Sequence, residues 1–159
     1  MEHFLFNQLA FVRNQTLKQL EGVTEDMADR IPDGFRNSIR WNAGHVYVVL
    51  ERFAFSSTGI PQVLPDGFKE QFEYGSTPLN GHSFPVPTLD ELKDLMEVQQ
   101  SRIREALAGR LEEKVPAPYT TSAGMTLETV EQFLTFSLYH EGMHFNTIKL
   151  YKMLLFRQQ

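Results

Sequence analysis

The chain has 159 residues, 42% apolar and 22% charged, which suits one soluble globular domain over residues 1–159. Its net charge of −5, with Lys and Arg scattered rather than clustered, argues against a nucleic-acid surface. It has no cysteine, so disulfides, thiolate metal ligands and a cysteine nucleophile are excluded, and thiol chemistry would need a thiol from the substrate.

Met1-Glu2-His3-Phe4-Leu5-Phe6 lacks the basic start and unbroken apolar core of a secretory signal. No run of about 18 apolar residues exists to span a bilayer. A cytoplasmic protein without membrane contact is the expectation. The first helix is predicted from His3 to Leu20, with Phe4, Leu5, Leu9, Phe11, Val12 and Leu17 on a broad apolar side. After an Asp33-Gly34 turn, a second helix is predicted from Ser38 to Ser56, its stripe Trp41, His45, Val48, Val49 and Arg52 spaced by threes and fours.

Residues Thr58 to Pro87 carry five prolines and four glycines, so regular structure is not expected there. Such a long connection suggests a lid or cover, whose aromatics (Phe68, Phe72, Tyr74, Phe84) either wall a pocket or fasten the loop. Thr88-Leu89-Asp90-Glu91 is a capping box that opens a third helix, predicted to reach Ala108 and stop at Gly109. The fourth is predicted from Thr126 to Phe156, with Phe133, Ser137, His140, Glu141, His144 and Ile148 on its inner stripe. No segment shows convincing strand alternation. Four helices with a long connection between the second and third predict an all-α four-helix bundle.

The last helix contains His140-Glu141-Gly142-Met143-His144, a literal H-E-x-x-H. One helical turn separates the imidazoles, so both project from one face and can grip one ion, with Glu141 where a zinc peptidase keeps its base. A peptidase also needs a downstream ligand. The positions of the longer motif hold Thr147 and Leu150, and beyond Gly142 there is no Asp, Glu or further His except His144. The peptidase reading fails on that count, and the third ligand must come from upstream. His45 is the best candidate, on the inner stripe of the second helix beside Gly44, which allows a close approach. His3, at a helix start, and His82, in a Gly/Asn/Pro-rich loop, are expected to be exposed. Three imidazoles leave room for water or substrate on the ion, as in catalytic rather than structural sites.

Asn37-Ser38-Ile39-Arg40-Trp41, followed by Gly44-His45-Val46 and the distant His140-x-x-x-His144, resembles the DinB/YfiT-like superfamily over nearly the whole chain. The resemblance implies an up-down-down-up four-helix bundle, often a homodimer, with a divalent metal held by His45, His140 and His144. Zinc or nickel come first, with iron, manganese or copper as further candidates. It also implies a small-molecule substrate and, as in some relatives, transfer of a low-molecular-weight thiol such as bacillithiol or mycothiol to an electrophile. Glu141 would then act as a proton acceptor or, as the favoured role, hold a ligand imidazole in place. The rival readings are a metal-activated hydrolase with Glu141 as base, and a bundle in which the ion only ties helices together.

Overall fold

The computed structural model describes residues 3–81 and 83–157, so His82 lies outside the described residues. Six helices and one hairpin follow in the order α1 (Phe4–Leu20), α2 (Glu25–Asp29), α3 (Ile39–Ala54), α4 (Phe68–Phe72), α5 (Leu89–Leu107), β1 (Lys114–Thr120), β2 (Thr126–Thr129) and α6 (Val130–Phe156). The protein is mainly helical, as the periodicity predicts. No helix among the described residues is long and apolar enough to cross a membrane.

The helix starts are chemically explicit. Ser38 accepts from the Trp41 amide at 3.1 Å and sets the first turn of α3. The predicted Thr88/Glu91 capping box is present, with Glu91 N–H to Thr88 Oγ1 at 3.1 Å and Thr88 N–H to Glu91 Oε2 at 2.7 Å. At the other end of α5 the expectation differs: Ala108 caps the helix in a right-handed conformation and Gly109 does not adopt a positive φ.

Residues 126–129, predicted as the start of the last helix, are instead strand β2. Thr129 and Gln132 form a second capping box that starts α6 at Val130. The partner strand β1 was not visible as a strand because Pro116 and Pro118 interrupt it. Both prolines fall in the stretch where the antiparallel register slips, between the Lys114–Thr129 and Tyr119–Leu127 pairs, so few ladder donors are missed. Gly124, at φ +89°, turns the hairpin.

The predicted irregular connection contains α4 and a single 3₁₀ turn at Pro78–Asn80. Phe68 and Phe72 are buried in the core and fasten this segment, while Tyr74 is 87% exposed and Phe84 38%. Phe84 packs on Gly67, and Tyr74 alone of the four lines the cleft between α3, α6 and the hairpin.

Helix α3 is buried along nearly its whole length and packs against both α5 and α6, and α1 packs against the same two helices. His3, just before α1, lies 3.5 Å from Glu131 near the start of α6, and Lys152 near the end of α6 donates to the Gln19 carbonyl at 3.1 Å. Asn42, early in α3, meets His144, midway along α6, at 2.8 Å, while Phe53 at the far end of α3 meets Phe133 near the start of α6. Arg40 ties α2, α3 and the approach to α5 together, donating to Asp29 at 2.6 Å, Glu25 at 2.6 Å and the Pro87 carbonyl at 2.7 Å. The hairpin docks through Val115 and Leu127 onto Val49, Phe53 and Phe133. This docking places its outer end beside the groove between α3 and α6.

Candidate metal centre

The groove between α3 and α6 collects the predicted histidines. His45 sits midway along α3, while His140 and His144 project from one face of α6. One ring nitrogen from each lies within 4.8 Å of the other two. The ring centroids are 5.1 Å apart for His45 and His140, 4.8 Å for His45 and His144, and 4.7 Å for His140 and His144.

The neighbours of these rings decide which nitrogen faces the gap. His45 Nδ1 lies 2.6 Å from the Phe72 carbonyl, which can only accept, so Nδ1 carries the proton and Nε2 presents its lone pair. His144 Nδ1 lies 2.8 Å from Asn42 Oδ1. The orientation of that amide is fixed because Asn42 Nδ2 donates to the Ser38 carbonyl at 2.8 Å. His144 therefore also offers Nε2. The Nε2 atoms of His45 and His140 are 3.3 Å apart. Two nitrogens on one tetrahedral ion, each at 2.0–2.1 Å, stand about 3.3 Å apart, so the His45–His140 pair has that spacing, with the His144 nitrogen within 4.8 Å of both.

Burial lowers the pKa of all three imidazoles. For His140, burial and then the neighbouring His144 and His45 push it to about 3, and for His144 burial and then His45 push it to about 4. The rings are neutral at physiological pH, the form that ligates metal. Unfolded imidazoles protonate near 6.5, above the folded values, so the unfolded metal-free chain binds more protons between those limits. Stability of the metal-free protein, full above pH 6.5, is expected to decline as pH falls towards 4. Thermal melts in chelator at pH 7 and pH 5 should differ by several degrees, and equal midpoints would refute this.

Gly44 explains how the Phe72 carbonyl reaches His45. A Cβ on Gly44 would stand 2.4 Å from Phe72 Cδ1, so the ring packs directly on the α3 backbone. Gly44→Ala is expected to displace Phe72, lower stability by about 1–3 kcal/mol, and weaken metal affinity roughly 10–100-fold as His45 loses its acceptor. Calorimetric zinc titration checks this, and unchanged affinity would show that the Phe72 contact does not hold the ring.

Glu141 is not brought to the imidazoles. One residue along a helix turns the side chain by about 100°, which carries Glu141 off the face of His140. Its carboxylate is buried against α1, where Arg13 donates Nε to Oε1 at 2.8 Å and Nη2 to Oε2 at 3.1 Å. Neither expected role, base or holder of an imidazole, matches this placement. Asn42 and the Phe72 carbonyl hold the rings instead. Asn42 was detectable as the i−3 neighbour of His45 on one helical face, whereas the Phe72 contact had no sequence signal. His3 is half exposed and accepts the Leu5 amide at the start of α1, away from the cluster.

The cluster opens into a cleft of about 820 Å³ between α3, α6 and the hairpin, large enough for a small organic molecule. The imidazoles divide it. Towards the start of α3 the walls are mixed, with Asn37, Asn42 and Thr147 beside Trp41 and Tyr151. The Asn37 side-chain oxygen there is buried without a partner. Towards the end of α3 the walls are Val49, Phe53, Tyr119, Phe136 and Tyr139. No Asp or Glu lines the cleft among the described residues, and Arg52 is its one Arg or Lys. Trp41, the chain's single tryptophan, stacks on His45 with centroids 4.6 Å apart and planes 12° off parallel.

A model of the DinB superfamily matches residues 8–148. No curated protein matches. A crystal structure of a conserved protein from Enterococcus faecalis superposes with a TM-score of 0.72 over 98% of each chain at 16% identity, a similarity of fold.

Proposed function

The chain belongs to the DinB superfamily, and from that membership and the geometry of its cleft we propose a cytoplasmic, divalent-metal-dependent enzyme that transfers a low-molecular-weight thiol to an electrophile. The observation that carries the proposal is the convergence of three neutral imidazoles, two with Nδ1 tied to a fixed acceptor so that Nε2 faces the gap. His45, His140 and His144 hold the ion. All-nitrogen donors suit zinc or nickel, with iron, manganese or copper as further candidates. When bound, the ion supplies Lewis acidity that lowers the pKa of a thiol or water beside it.

The chain's own groups favour a thiol over water as the nucleophile. The hydrolase reading took Glu141 as the base for the attacking water, and Glu141 is held by Arg13. A thiol ionises more readily and needs no such base. The chain contains no cysteine, so the thiol comes from the substrate, and the cytoplasm is where such thiols stay reduced. A mixed wall and an aromatic wall on opposite sides of the imidazoles offer two different ligands separate seats.

We read the four long helices as a bundle running up, down, down, up. This is supported by α1 and α6 meeting start to start and end to end, and by α3 running against α6, with Asn42 near its start beside His144 and Phe53 near its end beside Phe133. We also propose a homodimer. Phe4 and Phe11, two turns apart on α1, are 69% and 63% exposed, and Leu150 and Leu154 on α6 are also exposed.

The test uses the single tryptophan. Stoichiometric Cu(II) or Ni(II) should quench Trp41 through its stacked His45, and chelator should restore the emission. With zinc loaded, conjugation of monobromobimane to bacillithiol or mycothiol should exceed the chelated control by at least about tenfold. Equal rates with and without chelator would overturn the catalytic reading.

A further inference from the structure

The two ends of the cleft differ, and the aromatic end carries information about its ligand. Along α3, Val49 lies one turn and Phe53 two turns beyond His45, about 6 and 12 Å along the axis. Tyr119 from the hairpin reaches over Phe53 at 5.7 Å, and Phe136 stands 6.1 Å from Phe53 on the α6 side. Rings at these separations pack on one another into a continuous aromatic wall, against which a flat apolar body can lie.

Charge narrows the ligand further. No carboxylate lines this end of the cleft, and Arg52 lines it about 10 Å along the helix from His45. Arg52 is held in place by Glu73, which accepts from Nη1 at 2.8 Å, and by the Phe53 ring, 5.2 Å from the guanidinium carbon. A guanidinium has five N–H donors in a planar fork, so one bond to Glu73 leaves donors for a second acceptor. Glu73 is taken up by its ion pair with Arg52, so no carboxylate lining this end is left to receive a cationic ligand. An uncharged one would leave the oriented fork unused.

We infer that this end of the cleft binds a flat, apolar organic anion, its acid group on Arg52 and its opposite end at the imidazoles. The inference names the electrophile class for the function proposed above and rests on the imidazoles marking the reacting end. Arg52 is thus a specificity-determining residue, and the preferred ligands have an aromatic body with the carboxylate or sulfonate remote from the reacting atom.

One skeleton carrying three charges tests this: 2-naphthoate, 2-naphthalenemethanol and 2-naphthylmethylammonium, titrated calorimetrically into zinc-loaded and chelator-treated full-length protein. The expected order is carboxylate tighter than alcohol by at least about tenfold, alcohol tighter than ammonium, with the carboxylate preference intact in chelator. Arg52→Met should bind carboxylate and alcohol equally, while Arg52→Lys should keep most of the preference. No binding of any of the three, or an undiminished preference in Arg52→Met, overturns the inference. If Arg52→Met loses alcohol binding as well, Arg52→Lys decides: restored preference supports the assignment and lost preference overturns it. A preference that vanishes in chelator puts the anion on the ion and overturns the Arg52 assignment while leaving the metal reading intact. A protein that takes up no metal but keeps the preference refutes the metal reading alone.

Discussion

His45→Ala is expected to remove tight metal binding while leaving a folded helical protein. Structural zinc sites bind with about 10–16 kcal/mol from four ligands, so one imidazole contributes on the order of 2.5–4 kcal/mol. Its loss corresponds to roughly two to three orders of magnitude in affinity. The substitution also removes the ring stacked on Trp41 and leaves the Phe72 carbonyl without its donor. That local loss costs about 1–3 kcal/mol of stability, which a helix buried along its length among three core clusters can sustain. Three measurements check the prediction together: elemental analysis of the purified proteins, zinc titration, and the thermal shift that saturating zinc produces in the parent. The parent should be stabilised in proportion to the logarithm of free zinc, and the variant should show no shift at the same concentration. Equal metal content in the two proteins would sink the three-histidine centre.

The helices and two-thirds of the centre were legible because both depend on short-range periodicity. Thr88 and Glu91 announce a helix start within four residues, and His140 and His144 share a face whatever packs against them. His45 could be nominated only by elimination and resemblance, since nothing local says that the middle of α3 faces the middle of α6. Other features depend on contacts the periodicity does not encode. Pro116 and Pro118 hide a strand that tolerates them only because its register slips between them. The Phe72 carbonyl reaches His45 across 27 residues through the space left by Gly44. The placement of Glu141 misled for a related reason. Adjacency in H-E-x-x-H suggests a shared site, yet adjacent helical residues point about 100° apart, and the partner that claims Glu141 lies 128 residues earlier.

That partner leads to the second large effect. Arg13 is 1% exposed, and its guanidinium binds both Glu141 oxygens, the Met96 carbonyl at 2.7 Å and Gln99 Oε1 at 3.2 Å. Gln99 continues the chain, donating to Tyr47 O at 3.0 Å and to Glu51 at 2.9 Å, and Glu51 is closed by Arg102 at 2.8 and 3.1 Å. Two ion pairs joined by one amide thus link all four long helices through the core. Removing one partner leaves a buried charge unmatched, so Arg13→Met and Glu141→Gln are each expected to cost about 3–5 kcal/mol. For a chain of this length the midpoint should fall by about 6–20 °C. Replacing both charges at once, Arg13→Met with Glu141→Leu, removes the unmatched ion and should recover much of the loss, because an apolar pair of similar volume needs no compensation. The same variants separate a structural Glu141 from a catalytic one. Held by Arg13, Glu141 should be replaceable by glutamine with zinc affinity and turnover per folded molecule within about threefold of the parent, whereas loss of a general base removes about 10²–10⁴-fold. A stable Glu141→Gln protein with turnover reduced a hundredfold would return the carboxylate to the reaction. A destabilised one that still binds zinc and turns over assigns it to the fold.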